Sequence, residues 1–101
     1  MTRKNLHNKM VNEILNNPKI VCKGKPIISA SNVFFYRNDG VTRAGEVDNL
    51  IYDGTLYLVE YKSTNLQKDK AIYQLEKEEE FVKKLGFRGE IKKVYMWGNI
   101  K

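Results

Sequence analysis

Apolar residues near the start of the chain recur at three- and four-residue spacing. Leu6, Met10, Val11, Ile14 and Leu15 mark the buried side of a helix over Lys4 to Asn16. Pro18 limits its continuation. A turn at Lys23-Gly24-Lys25-Pro26 leads into Ile27 to Arg37, whose Ile, Val, Phe and Tyr content predicts a strand. Asn38-Asp39-Gly40 opens a polar loop that runs to Gly45. Glu46 to Tyr52 and Leu56 to Lys62 then predict a hairpin across Asp53-Gly54. Thr64 and Gln67 have the spacing of a capping box for a helix reaching about Leu85, with Ile72, Leu75, Val82 and Leu85 as its buried stripe and Gly86 as its C-cap. Ile91 to Trp97 closes the chain as a strand. The order helix, three strands, helix, strand predicts one α/β domain over residues 1–101, a small mixed sheet flanked by helices.

The hairpin breaks the pattern. Its apolar run, "GEVDNLIYDGTLYLVEYKST", is interrupted by Glu46, Asp48, Glu60 and Lys62. Charged residues seldom enter buried strands unless they are paired, bind a metal or do chemistry. Period-two geometry puts Glu60 and Lys62 on one face of their strand, and Glu46 and Asp48 share a face of theirs. Clustered carboxylates stay ionised only beside a compensating cation. Lys62 supplies one charge, and a hard ion such as Mg²⁺ supplies two. Carboxylates, a metal and a lysine together suit metal-assisted hydrolysis of a phosphodiester.

That reading demands a particular register. A two-residue turn would set Asp48 opposite Val59 and send Asp48 and Glu60 to opposite faces. Convergence requires an odd offset, from a three-residue loop at Asp53-Gly54-Thr55 or from a bulge.

Composition narrows the partners. The hydrophobic share is 42% and the charged share 30%, which excludes a disordered chain. The net charge of +6 suits a polyanion, nucleic acid first, although a Lys-rich composition is by itself a weak sign. One cysteine, Cys22, and one histidine argue against a zinc site and exclude an internal disulfide. No apolar run approaches the ~20 residues of a membrane span, so no membrane partner and an intracellular, cytoplasmic location are expected. Val33-Phe34-Phe35-Tyr36 puts apolar groups on both strand faces, more than one small core covers, which points to a homodimer.

Asp48, eleven intervening residues, then Glu60-Tyr61-Lys62 resembles the D-x(n)-E-x-K signature of PD-(D/E)XK nucleases, and "LYLVEYK" looks like that family's third core strand. The element order is similar to its restriction-endonuclease-like αβββαβ core. "GEVDNLIYDG" and "LVEYK" look most like the compact Holliday-junction-resolvase-like branch. The resemblance covers most of the chain as element order and about twenty residues as motif. It implies Asp48 and Glu60 as catalytic residues and metal ligands, the backbone carbonyl of Tyr61 as a third ligand, and Lys62 as the catalytic lysine. Glu13 matches by position a glutamate that many members carry on the first helix, but it reads first as a helix-surface acid, because the helix is otherwise polar. Glu46 reads either as an auxiliary ligand or as a solvated residue at a strand start. Gln67, Lys70 and Gln74 share a face of the second helix, where polar residues support the site in that family.

Two departures stand out. Asp48 follows Val47 where the motif has proline, a common variation. Gln74 is followed four places on by Glu78, so the Q-x-x-x-Y element of RecB-like exonucleases is missing.

Arg37, Arg43, Lys68 and Lys70 flank the expected site as phosphate contacts or plain surface charge. His7 stays outside it, because metal–lysine chemistry does not require a histidine. The run Glu76 to Glu80 reads as a solvated helix face. The implied function is a Mg²⁺-dependent DNA endonuclease, Mn²⁺ able to substitute, acting on branched or junction DNA as a homodimer. Its competitors are a non-catalytic nucleic-acid-binding module and a nuclease subunit of a larger complex.

Overall fold

The computed structural model describes residues 3–98. Helix α1 (Arg3–Asn16) is followed by a short 3₁₀ turn over Pro18–Ile20 and strands β1 (Ile28–Tyr36), β2 (Arg43–Tyr52) and β3 (Leu56–Lys62). Helix α2 (Lys68–Lys84) and strand β4 (Ile91–Trp97) complete the chain. The sheet order is β1-β2-β3-β4, with β1, β2 and β3 antiparallel in turn and β4 parallel to β3. The result is an α/β fold with a mixed four-stranded sheet and two helices.

β3 is the centre of the sheet, and every residue from Leu56 to Tyr61 is buried. A strand covered on both faces reads as a nearly continuous apolar run, which is why "LYLVEYK" looks as it does. Its alternate residues divide the core. Tyr57 and Val59 pack with Ile14, Cys22 and Ile51, and Tyr61 with Met10 and Val11 on the α1 side. Leu56 and Leu58 pack with Phe35, Val47, Leu75 and Val82 on the α2 side.

Two polar contacts fix α1 against the sheet. Ser29 Oγ donates to Leu15 O at 2.8 Å, and the fully buried Asn49 donates from Nδ2 to Val11 O at 3.0 Å. Both use carbonyls in the last half of the helix, so the helix's earlier turns project toward the far end of β3.

Several boundaries differ from expectation. β2 begins at Arg43 rather than Glu46, because Gly45 and Arg43 pair with Phe35 and Tyr36 and shorten the polar loop. The expected capping box does not form. Thr64 Oγ1 accepts from Leu66 N–H at 3.4 Å at the start of a 3₁₀ turn over Asn65–Gln67, and the Gln67 side chain makes no capping bond to α2. At the other end Gly86, at φ +103°, closes α2 as expected: Gly86 N–H bonds Lys83 O and Phe87 N–H bonds Val82 O.

The buried stripe of α2 also moves. It is Ala71, Leu75, Glu78 and Val82, whereas Ile72 and Leu85 are 39% and 75% exposed. The spacing is still helical, but the stripe is turned so that an acid occupies one of its positions.

Candidate active site

The β2–β3 ladder pairs Tyr52 with Leu56, Ile51 with Tyr57, Leu50 with Leu58 and Asn49 with Val59. Asp53-Gly54-Thr55 is therefore a three-residue loop, with Gly54 at φ +108° and Thr55 N–H bonded to Asp53 Oδ1 at 2.9 Å. This is the odd offset that convergence required. The ladder ends at Asn49 and Val59; the next residues on the two strands are Asp48 and Glu60, whose side chains interact.

The ladder stops there, and Asp48 takes over. Its Oδ2 accepts the Tyr61 backbone N–H at 2.8 Å, so a side-chain oxygen fills the place of a strand carbonyl. On the other side of β2, Ser31 pairs with Asn49 and Val33 with Val47, while Asn32 between them adopts φ +52°. That left-handed conformation is one that Asn tolerates better than most residues. Alternation along β2 also reverses here, since Val47 joins the α2-side cluster while Ile51 joins the α1-side one. Asp48 sits at the reversal, and its carboxylate lies where groups from both sides of the sheet reach it.

From the α1 side, His7 Nε2 lies 3.3 Å from Asp48 Oδ2, with its ring 5.6 Å from that of Tyr61. From the α2 side come Glu60 and Glu78, 2% and 3% exposed. Burial opposes charge on Asp48, but the hydrogen bonds from His7 and Tyr61 N–H outweigh it and hold the carboxyl below its usual range. The bond to Asp48 raises His7 against the effect of its own burial. Burial, then the bond to Glu78 and the charge on Asp48, push Glu60 up to about 11. Burial likewise pushes Glu78 up to about 7, opposed by its bond to Glu60 and by Lys62. As a pair, Glu60 and Glu78 hold a proton between them at neutral pH.

That proton reports a shortage of positive charge. Ionised, Glu60 Oε1 and both Glu78 carboxylate oxygens would be buried with no donor among the described residues. The half-buried Lys62 acts electrostatically on both His7 and Glu78 and lowers each. A residue's N–H and C=O point to the same side of a strand, so the Tyr61 carbonyl faces the gap that Asp48 occupies. Hard oxygen donors and orphaned buried carboxylate oxygens fit a divalent ion of the Mg²⁺ kind. Among the described residues no group of three or more His, Cys, Asp and Glu is already arranged around one cation position.

The other expected residues scatter. Glu13 is exposed and accepts from Asn17 Nδ2 at 3.4 Å; six residues from His7, it lies about 240° around the helix and is not brought to the acids. Glu46 is exposed, yet close enough to raise Glu78. Gln67, Lys68 and Lys70 are exposed at the start of α2, and Gln74 is half-buried. The Arg43 guanidinium stacks 4.0 Å over the Phe34 ring. Arg37 lines a cleft described below.

Two residues correct the sequence reading. His7 is at the site because α1 is anchored to place it over Asp48. Glu78 is not solvated with its neighbours, because Ala71, Leu75 and Val82 fix position 78 in the buried stripe. That spacing was the available signal, masked by an acidic run.

Compared with known proteins, the chain matches no family model, no curated protein and no solved structure.

Proposed function

We propose that this chain is a metal-dependent deoxyribonuclease with a PD-(D/E)XK, restriction-endonuclease-like core of the compact Holliday-junction-resolvase-like kind. The observation that carries the reading is the register: the three-residue loop gives an odd offset, the ladder ends at Asn49 and Val59, and the next residues are the buried Asp48 and Glu60, with Lys62 two residues on. An edge pair of surface charges would need no such offset, and neither acid would be buried.

Asp48, Glu60 and the Tyr61 carbonyl would hold Mg²⁺, with Mn²⁺ able to replace it. When bound, the ion polarises a phosphoryl oxygen and lowers the pKa of a coordinated water. Lys62 supplies a fixed positive charge to the phosphate as negative charge develops on it. His7 and Tyr61 N–H hold the Asp48 carboxylate ionised and in place. Glu78 keeps a proton near Glu60 that must leave before both acids are ionised. The net charge of +6 favours a polyanionic substrate.

The test is incubation with linear, single-stranded, flapped and four-way-junction DNAs in Mg²⁺, Mn²⁺ or EDTA. Cleavage should require metal and disappear in Asp48→Ala, Glu60→Ala and Lys62→Ala while DNA binding largely survives. Undiminished cleavage by all three variants would overturn the proposal. Metal-independent binding without cleavage would favour the non-catalytic module.

A further inference from the structure

A cleft of about 780 Å³ runs between α2 and the turn end of the β1–β2 hairpin. Arg37, Lys77 and Lys84 line it against one exposed acid, Glu46, and Tyr36 and Tyr73 are 46% and 60% exposed along it. Its floor is the stacked pair Phe35 and Phe81, with ring centroids 5.5 Å apart. Of the acid cluster only Glu78 lines the cleft, and Glu78 is bonded in turn to Glu60, so the cleft reaches the border of the candidate active site.

We infer that this cleft holds an unpaired DNA strand and leads it to the acid site. The inference rests on the nuclease reading for its destination, but its recognition chemistry is independent of cleavage. A basic rim beside exposed aromatic faces is how proteins hold single strands, cations on the phosphates and rings under the bases. The Tyr73 ring is set up for this, because Lys77, one helical turn on, lies 5.5 Å from its centroid and steadies it from one side. A cleft of this size admits a few unstacked nucleotides and is too small to enclose a duplex. A small apolar ligand would not need three cations around it, and a free anion would not need two exposed tyrosines.

The test is fluorescence anisotropy in EDTA, which removes cleavage from the readout. The probes are a labelled single strand, the blunt duplex of the same sequence, a duplex with a single-stranded flap, and a matched RNA strand. Single-stranded and flapped DNA should bind on the order of tenfold more tightly than blunt duplex. Tyr73→Ala and Lys77→Ala should remove most of that preference and leave duplex binding unchanged, while Tyr73→Trp should keep it. Both positions are exposed, so matched thermal melting establishes that the variants are folded. Equal affinity for single strand and duplex, an unaffected Tyr73→Ala variant, or binding of RNA in preference to DNA would overturn the inference. Metal-dependent cleavage of blunt duplex without strand preference would leave the nuclease reading standing and the cleft assignment refuted. Strand preference without any cleavage would do the reverse.

Discussion

Asp48 Oδ2 accepts the backbone N–H of Tyr61 at 2.8 Å, so one carboxylate both completes the sheet and faces the acid cluster. The two roles separate by substitution. Asp48→Asn keeps an oxygen for the Tyr61 N–H and removes the charge. It should fold, lose the ionised carboxylate's pairing with His7 but be less destabilised than Asp48→Ala, and lose metal-dependent cleavage. Asp48→Ala leaves a buried N–H unpaired and should lose about 1–3 kcal/mol as well. Urea unfolding of the two variants in EDTA measures the difference, and equal stability would mean that the bond does not support the fold.

The buried acids set a pH dependence for the metal-free protein. Glu60 and Glu78 have folded values of about 11 and about 7, against an ordinary 4.5. Groups raised by folding bind protons more tightly in the folded state, so their contribution is complete below 4.5 and fades as pH rises. The part due to Glu78 is lost between 4.5 and about 7, and that of Glu60 continues to fall well above neutrality. His7, raised above 6.5, acts in the same direction, while Asp48 contributes above 3.8 and loses its effect in acid. In EDTA the urea midpoint should therefore fall from about pH 5 to about pH 8. Glu78→Gln should flatten the first part of that fall. A midpoint that rose over this interval would contradict the assigned proton.

Metal should reverse the trend. Ligands must be deprotonated to bind, so Mg²⁺ affinity should rise with pH over the interval in which the metal-free protein weakens. Thermal melting with millimolar Mg²⁺ should show a larger upward shift at about pH 8 than at about pH 6, since stabilisation grows with the ratio of ligand to Kd. Glu60→Gln should abolish the shift. A shift of equal size in that variant would place the ion elsewhere.

What the sequence disclosed follows from which signals are local. Strands β3 and β4 were legible residue for residue, because apolar runs bounded by Gly and polar residues leave little choice. The need for an odd offset, from a three-residue loop or a bulge, was legible too, since alternation forbids Asp48 and Glu60 from meeting across a two-residue turn; the loop supplies it. His7 and Glu78 were not. Each reaches the acids through the docking of a whole helix, and Glu78 stands among acids that share its composition but not its face. Asn32 left no trace either, because nothing beside it in the chain marks a left-handed residue inside a strand.

The two edges of the sheet differ, and the difference predicts how the protein assembles. The outer strand β4 carries exposed Lys92 and Lys93, charges that deter pairing with another strand. The outer strand β1 has no such guard over its first residues: Ile28 is 50% exposed and Ile27 beside it 70% exposed, followed by Ser29, Ala30 and Ser31. A second copy pairing its β1 antiparallel to the first would cover both isoleucines and satisfy the edge amides by a two-fold axis. The expected state is therefore a homodimer joined through β1. Size-exclusion chromatography with light scattering should give twice the chain mass of 11.8 kDa at micromolar concentration. Ile28→Lys should give a folded monomer, because it places a charge where β4 already carries two. A wild-type monomer at high micromolar concentration, both free and bound to DNA, would refute the dimer, and a dimer that survives Ile28→Lys would move its interface away from β1.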